Sequence, residues 1–279
     1  MIQKSYDISN YGKLYLVPTP IGNMEDITLR ALEILKMVDI IYAEDTRETL
    51  SLLKYYKIKK QIQSCHKYSE MKNKDKIIQI LKSGKNIAYV TDRGTPLISD
   101  PGNVIVSNCI ENNIDVISLP GPNALLPAIN MSGLSNEKFL FYGFLNSKKS
   151  IAKKELEKIK DIEYSIIFYE SPFRIIETLN NIKDIFGDRM VAIVREISKI
   201  HEEVIRDTIS NILNNYDKFK GEIVIVVEGL KKTNDENIDY LTEIKELLKK
   251  DYTKKDACKI VAERHNISKN SIYNKYKEI

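Results

Sequence analysis

The chain of 279 residues is 43% hydrophobic and 29% charged, a balance that excludes an intrinsically disordered protein and allows two cores of ordinary domain size. Its apolar runs, such as Ile166 to Tyr169 and Ile223 to Val227, are strand-length. They fall far short of the roughly 20 residues a membrane-spanning helix needs, so no membrane partner is expected. The net charge of +4 is concentrated at one end: residues 249–279 hold nine Lys or Arg against four Asp or Glu, leaving the rest at −1.

In chain order, the leader MIQKSYDISNYGK has no apolar core for a secretory signal, so a cytoplasmic location is expected. Lys13 to Val17 predicts a first strand running into PTPIGN. A pyrophosphate cradle would need Gly-rich backbone amides there, and Pro18 and Pro20 have no N–H to offer, so GxGxxG chemistry is excluded at that place. Leu29, Leu32, Leu35 and Val38 have helical spacing, Asp39 to Ala43 predicts a strand, and a helix begins near Thr46 as N-cap. Another strand ends at Ser64, and CHKYSEMKN leads into a helix to about Lys82, stopped by Gly84 at C′.

The next stretch, YVTDRGTPLISDPG from Tyr89 to Gly102, is the first site candidate. The apolar run Ile87 to Val90 stops at a polar turn, and in open α/β sheets the crevice beyond the carboxyl ends of the strands is where small molecules bind. A plain connecting turn is the alternative. Residues 103–113 then fit a helix and Asp115 to Leu119 a strand ending in PGPNA, so the alternation argues for a mostly parallel sheet over residues 1–126. A second α/β domain is expected over residues 127–230, with the link near Pro127 to Glu137. It holds strands Phe139 to Phe144, Tyr164 to Tyr169, Met190 to Val194, Glu203 to Ile205 and Glu222 to Val227, with helices over Lys148 to Lys160 and around Ser210 to Tyr216. In ESPFR, Ser171 is expected to cap a helix with Pro172 at its first position.

Residues 231–279 read as a basic tail: a polar linker from Lys231 to Asp239, then three amphipathic helices, the last two capped by Thr253 and Ser268. TKKDACKIVAERHNISKNSIYNKY has the length and turn of a helix-turn-helix. Cys65, Cys109 and Cys258 are far apart, and His66, His201 and His265 form no pair at ligand spacing, so neither a disulfide framework nor a metal is expected.

Taken together, LYLVPTPIGNMEDITLRAL, YAEDTR, TDRGTPLISDPG, LPGPNAL, FYESPFRI, REISK and KGEIVIVVEG resemble the ribosomal RNA small subunit methyltransferase I family of the tetrapyrrole-methylase-like superfamily. The resemblance runs in order over residues 13–230 and implies a two-domain α/β fold, with an N-terminal parallel sheet domain and a C-terminal mixed sheet domain. It also implies S-adenosylmethionine folded into the cleft between them, and a homodimer. The implied reaction is 2′-O-methylation of a cytidine ribose in the decoding region of 16S rRNA. By the same resemblance, Pro20 and Ile21, then Thr95, Pro96 and Ile98, then Asn123 with Ala124 should line the cofactor. Tyr169, Gly221 and Glu222 match the second domain's share, and Asp92 and Gly94 should shape the central loop. The family more often has Ala where this chain has Arg93, and a smaller residue in place of Asn123. A guanidinium beside a sulfonium would be repelled, so Arg93 is expected to point away, toward Asp100, Glu44 or an RNA phosphate.

The cofactor has no phosphate, which agrees with a site built from proline-bearing loops. A ribose hydroxyl is a poor nucleophile until its proton is taken or polarised, whereas a sulfonium is already a good leaving group, so the chemistry needs alignment and a charged group but no metal. Glu170, Arg174, Arg195, Glu196, Lys199 and Glu202 are the charged candidates after the second domain's strands. The reading favours Lys199 with Glu196 as the polarising pair and Arg195 or Arg174 as phosphate anchors, against the alternative that such neighbours only pair on a surface. Glu44, Asp45, Arg47, His66 and Glu70 are expected at the substrate entrance. Two other functions compete: a superfamily relative acting on a tetrapyrrole or a protein side chain, and a non-catalytic RNA-binding ribosome-assembly factor.

Overall fold

The computed structural model describes residues 3, 5, 6, 10–231, 240–264 and 272. The chain forms two compact units, Met1–Leu230 and Lys231–Ile279. In the first unit, β1 (Leu14–Leu16), β2 (Ile40–Ala43), β3 (Gln61–Ser64), β4 (Ile87–Val90) and β5 (Val116–Ser118) make a sheet in the order β3-β2-β4-β1-β5. Every pairing in it is parallel. Helices α1 (Leu29–Met37) and α2 (Thr46–Tyr55) cover one face, packing Leu35 and Leu53 on Val17, Ile41 and Val90. Helices α3 (Glu70–Lys82) and α4 (Asn103–Glu111) cover the other, packing Ile77 and Ile105 on Leu14, Tyr42 and Tyr89. Burial on both faces is why β1, β2 and β4 read as unbroken apolar runs rather than alternating ones.

The second sheet of this unit contains β6 (Phe139–Phe144), β7 (Ser165–Glu170), β8 (Met190–Arg195), β9 (Glu203–Thr208) and β10 (Ile223–Val227), in the order β6-β7-β10-β8-β9. Only β6 and β7 run parallel, so the sheet is mixed. Helices α6 (Lys149–Glu157), α7 (Ile175–Phe186) and α8 (Ile209–Asn215) cover one face through Leu156, Leu179 and Ile212. Helix α5 (Leu125–Ser132) covers the other, where Ala128 and Ile129 meet Ile167, Ala192 and Val224. Position 126 therefore lies inside a helix that packs on the second sheet.

Three local expectations are corrected. Leu29 is 80% exposed, because Thr28 caps α1 and leaves Leu29 outside the buried stripe of Ala31, Leu35 and Val38. Asp45, not Thr46, caps α2, its carboxylate accepting from the Arg47 N–H at 2.8 Å. After Ser171 the chain makes a turn, closed by the Arg174 N–H to the Ser171 carbonyl at 3.0 Å, and α7 begins only at Ile175.

In the second unit, α9 (Tyr240–Leu248) and α10 (Lys254–Arg264) share a small core of Tyr240, Ile244, Ala257 and Val261, joined by Ile272. Thr253 caps α10, its hydroxyl accepting from the Asp256 N–H at 3.2 Å. Apart from Lys231, the expected linker lies outside the described residues, as do Ser268 and, apart from Ile272, the third helix. Among the described residues, no helix is long and apolar enough to cross a membrane, and no group of three His, Cys, Asp or Glu could hold a metal ion.

Candidate functional site

The loops after β1 and β4 leave adjacent strands at their carboxyl ends and are stitched together. Thr19 and Gly94 exchange two backbone hydrogen bonds of 2.9 Å, which Gly94 can make because its φ of +81° is open to glycine. The Asp92 carboxylate accepts from the Asp45 N–H at 2.8 Å, and the Thr91 hydroxyl donates to Glu44 at 3.0 Å, so EDTR is laced to the same loop. On the far side the Thr95 hydroxyl donates to the Pro122 carbonyl at 2.9 Å. Leu97 and Ser99, at φ +70° and +68°, hold left-handed conformations that cost non-glycine residues energy and concentrate at functional loops.

Between this braced wall and the second sheet lies a cavity of about 370 Å³. Of the residues expected around a cofactor, Ile21, Gly94, Thr95, Ile98, Asn123 and Ala124 line it from the first sheet's side, and Tyr169, Gly221 and Glu222 from the second's. Pro20 and Asp92 instead line a second cavity of about 350 Å³, and Pro96 lines neither. Asp100, Phe144 and Ile197 line the first cavity without having been expected around the cofactor. Asp100 could have been found, since it belongs to the same TDRGTPLISDPG stretch. Ile21 and Arg93 line both cavities, so the two adjoin there.

Arg93 corrects one expectation: its guanidinium pairs with Glu222, the residue that leads into the central strand β10 of the second sheet, not with Asp100 or Glu44. The reason is that Glu222 faces it across the cavity and offers a carboxylate oxygen. The other Glu222 oxygen lies 3.1 Å from Lys199 Nζ, which also lies 2.8 Å from Glu196 Oε1. The Glu222 N–H donates to that same Glu196 oxygen at 2.9 Å. Lys199 and this amide hold the Glu196 carboxyl below its usual range. The stem of Lys199 crosses Gly22, where a Cβ would stand 2.5 Å from Lys199 Cγ.

The remaining charged candidates are engaged in structure. Glu170 is buried and lines the first cavity, yet its carboxylate accepts from the Ser171 N–H at 2.7 Å and the Thr178 hydroxyl at 2.5 Å. Arg174 donates to the carbonyls of Leu145 and Asn146 at 3.2 and 3.1 Å, and Arg195 pairs with Glu203 on the neighbouring strand. Glu202 accepts from the Ser198 N–H at 2.8 Å. Glu70 is not at an entrance: it is buried and caps α4 by accepting from the N–H groups of Gly102 and Val104 at 2.7 and 3.2 Å. Asp45 pairs with Arg47, whose hydrogen bonds pull its carboxyl down to about 2.

The first cavity carries the carboxylates of Asp100, Glu170 and Glu222 against the single guanidinium of Arg93. Burial pushes Asp100 up to about 6, a hydrogen bond from Thr91 opposes this, and Glu44 and Asp92 add to it. Such a surplus of acid disfavours a phosphate and suits a ligand bearing a sulfonium and an ammonium group; burial also pushes the Tyr169 hydroxyl up to about 12, which keeps it neutral.

The family model described as Tetrapyrrole (Corrin/Porphyrin) Methylases matches residues 13–213. Ribosomal RNA small subunit methyltransferase I of Bacillus subtilis (strain 168) is 45% identical over 280 residues, covering 96% of this chain and 95% of its own. The protein of the same name from Thermotoga maritima is 45% identical over 220 residues, covering 78% of this chain and 99% of its own, so about a fifth of this chain has no counterpart there. Among solved structures, uroporphyrin-III C-methyl transferase from Thermus thermophilus, complexed with S-adenyl homocysteine, superposes with a TM-score of 0.58 at 15% identity over 78% of this chain and 97% of its own. A diphthine synthase does so with a TM-score of 0.58 at 16% identity, over 78% of this chain and 90% of its own. Likenesses at such identity concern the fold: the same pairing of a parallel with a mixed sheet.

Proposed function

We propose, since the chain belongs to the ribosomal RNA small subunit methyltransferase I family of the tetrapyrrole methylases, that it methylates the ribose 2′-hydroxyl of a cytidine in the decoding region of 16S rRNA. Membership makes it an S-adenosylmethionine-dependent methyltransferase. When bound, the cofactor supplies an electrophilic methyl group on a positively charged sulfur. Ile21, Gly94, Thr95, Ala124 and Tyr169 would hold it, with Asp100 and Glu222 facing its positive charge.

The observation that carries the reading is the place of Lys199. It lines the second cavity, while Glu222, 3.1 Å away, lines the first. An ammonium there donates a hydrogen bond to a hydroxyl oxygen as negative charge develops on it, and Glu196 and Glu222 orient that ammonium. Glu196 itself is a weak base, because its carboxyl is held below the usual range. Its part is to aim Lys199. Arg174 and Arg195, occupied within the protein, are given no phosphate-anchoring role in this reading. A homodimer and a phosphate-binding role for the basic tail belong to the same proposal and rest on the resemblance and on charge.

The test is methyl transfer from labelled cofactor to small ribosomal subunits, with the modified nucleoside identified by mass spectrometry. Lys199→Ala and Glu196→Ala are expected to lower turnover by at least roughly tenfold with cofactor affinity nearly unchanged. Unaltered turnover in both variants discards the assignment of Lys199, and a methyl group on the base discards the ribose chemistry.

A further inference from the structure

The second cavity has no part in holding the cofactor in the reading above, yet it is not a featureless dent. It is lined by Glu48, Thr49, Ser51 and Leu52 of α2 and by the Thr19 to Gly22 segment. Lys199 closes one end. Ile21 and Arg93 line both cavities, so the two adjoin there and a group seated in one lies next to a group seated in the other. Its volume of about 350 Å³ falls in the range of small-molecule pockets and exceeds what one unstacked nucleoside fills.

A second observation points to a ligand. Thr49 is 2% exposed and its hydroxyl has no hydrogen-bond partner among the described residues. A threonine at this place in a helix commonly returns its hydroxyl to the carbonyl four residues earlier; here the Asp45 carbonyl takes only the Thr49 N–H, at 3.2 Å. Buried hydroxyls are almost always satisfied, and Thr49, a residue that lines this cavity, carries one that is not.

We propose that this cavity receives the acceptor nucleoside of the RNA, turned out of its stack, and that the Thr49 hydroxyl hydrogen-bonds it. The inference rests on the ribose-methylation reading and adds the place of the substrate. Sequence-specific RNA recognition targets unstacked bases whose edges can be hydrogen-bonded. Polar groups on α2 and apolar Ile21, Met24 and Leu52 provide both an edge contact and faces to lie against. Seated there, the ribose lies on the Lys199 side and at the junction with the cofactor cavity, where its hydroxyl can approach the methyl group directly. Thr49 acts on binding and positioning, with no bond made or broken at it.

The substitution that separates this from a structural role is Thr49→Val, which keeps the shape and removes the hydroxyl. Because the hydroxyl has no partner among the described residues, a purely structural Thr49 predicts a melting temperature unchanged or raised and full activity. The proposal predicts the same melting behaviour and unchanged cofactor affinity by calorimetry, but methyl transfer to small ribosomal subunits reduced roughly tenfold in kcat/KM. Thr49→Ser, which restores the hydroxyl, recovers most of that loss. Full activity in Thr49→Val overturns the proposal, as does weakened cofactor binding in that variant, which would assign the cavity to the cofactor. A parent enzyme that leaves the 2′-hydroxyl of subunit RNA unmethylated overturns the functional reading and this inference with it. A parent that methylates the ribose while Thr49→Val equals it overturns this inference alone.

Discussion

Replacing Gly221 by alanine perturbs the charged network at its least forgiving point. Gly221 has a φ of +83°, and an added Cβ would stand 2.4 Å from the Glu196 carboxylate. An L residue in that backbone region costs about 1–2 kcal/mol. The Glu196 side chain is flexible enough to move, but moving breaks its bonds to Lys199 Nζ and to the Glu222 N–H, 2.8 and 2.9 Å long. Losing charge-assisted hydrogen bonds at a partly exposed group adds about 1–2 kcal/mol. Gly84 is the control: its φ is +86°, and its Cβ would meet nothing within 4 Å, so Gly84→Ala carries the backbone cost alone. At about 2–4 °C per kcal/mol for a unit of this size, Gly221→Ala is expected to melt roughly 4–16 °C below the parent and Gly84→Ala about 2–8 °C below it. Differential scanning calorimetry of the main transition measures both. Equal melting temperatures for the two variants would refute the argument that Glu196 is fixed in place by its partners.

Asp100 gives a pH dependence whose sign is fixed by its environment. Its carboxyl is raised from 3.8 to about 6 chiefly by burial, and only the ionised form attracts a cationic ligand, so cofactor affinity should fall as pH drops through 6, and Asp100→Asn should flatten the profile by calorimetry between pH 5 and 7. For stability the sign is opposite: the raised value stabilises below about 3.8, and that contribution is lost as pH rises through 6. Deleting residues 249–279 should leave cofactor binding intact, consistent with the Thermotoga maritima relative, whose chain is matched almost entirely by 78% of this one. If the tail contacts phosphates, the same deletion should flatten the salt dependence of subunit binding by about one unit per lost contact, and an unchanged slope removes that role.

The architecture was legible because both sheets write themselves as apolar runs: β4 and β10 match the expected strands almost to the residue, being buried along their whole length. Boundaries failed where a side chain rather than an apolar pattern decides them. Asp45 took the cap from Thr46 because its carboxylate reaches the Arg47 N–H, and α7 waited until Ile175 because Ser171 first closes a turn. Helix α5 shows how packing assigns an element: it follows LPGPNA in sequence, and its apolar face belongs to the second sheet.

What the sequence leaves undecided about the site is pairing. Glu170, Arg174, Arg195 and Lys199 look equivalent as charges after strands, and they separate only when their partners are known. Three of them turn inward to amides, carbonyls or a neighbouring strand, while Lys199 is held at a cavity wall by two carboxylates. Arg93 and Glu222, 129 positions apart, make the same point from the other direction. A guanidinium beside a cationic ligand is repulsive when considered alone, which is why Arg93 was expected to turn away. Paired with Glu222, its charge is offset within the wall, and the second Glu222 oxygen remains with Lys199. The arginine and the glutamate thus act as one device: the loop after β4 supplies a cation, the residue leading into the central strand β10 supplies an anion, and their bond ties the two sheets together where the two cavities adjoin.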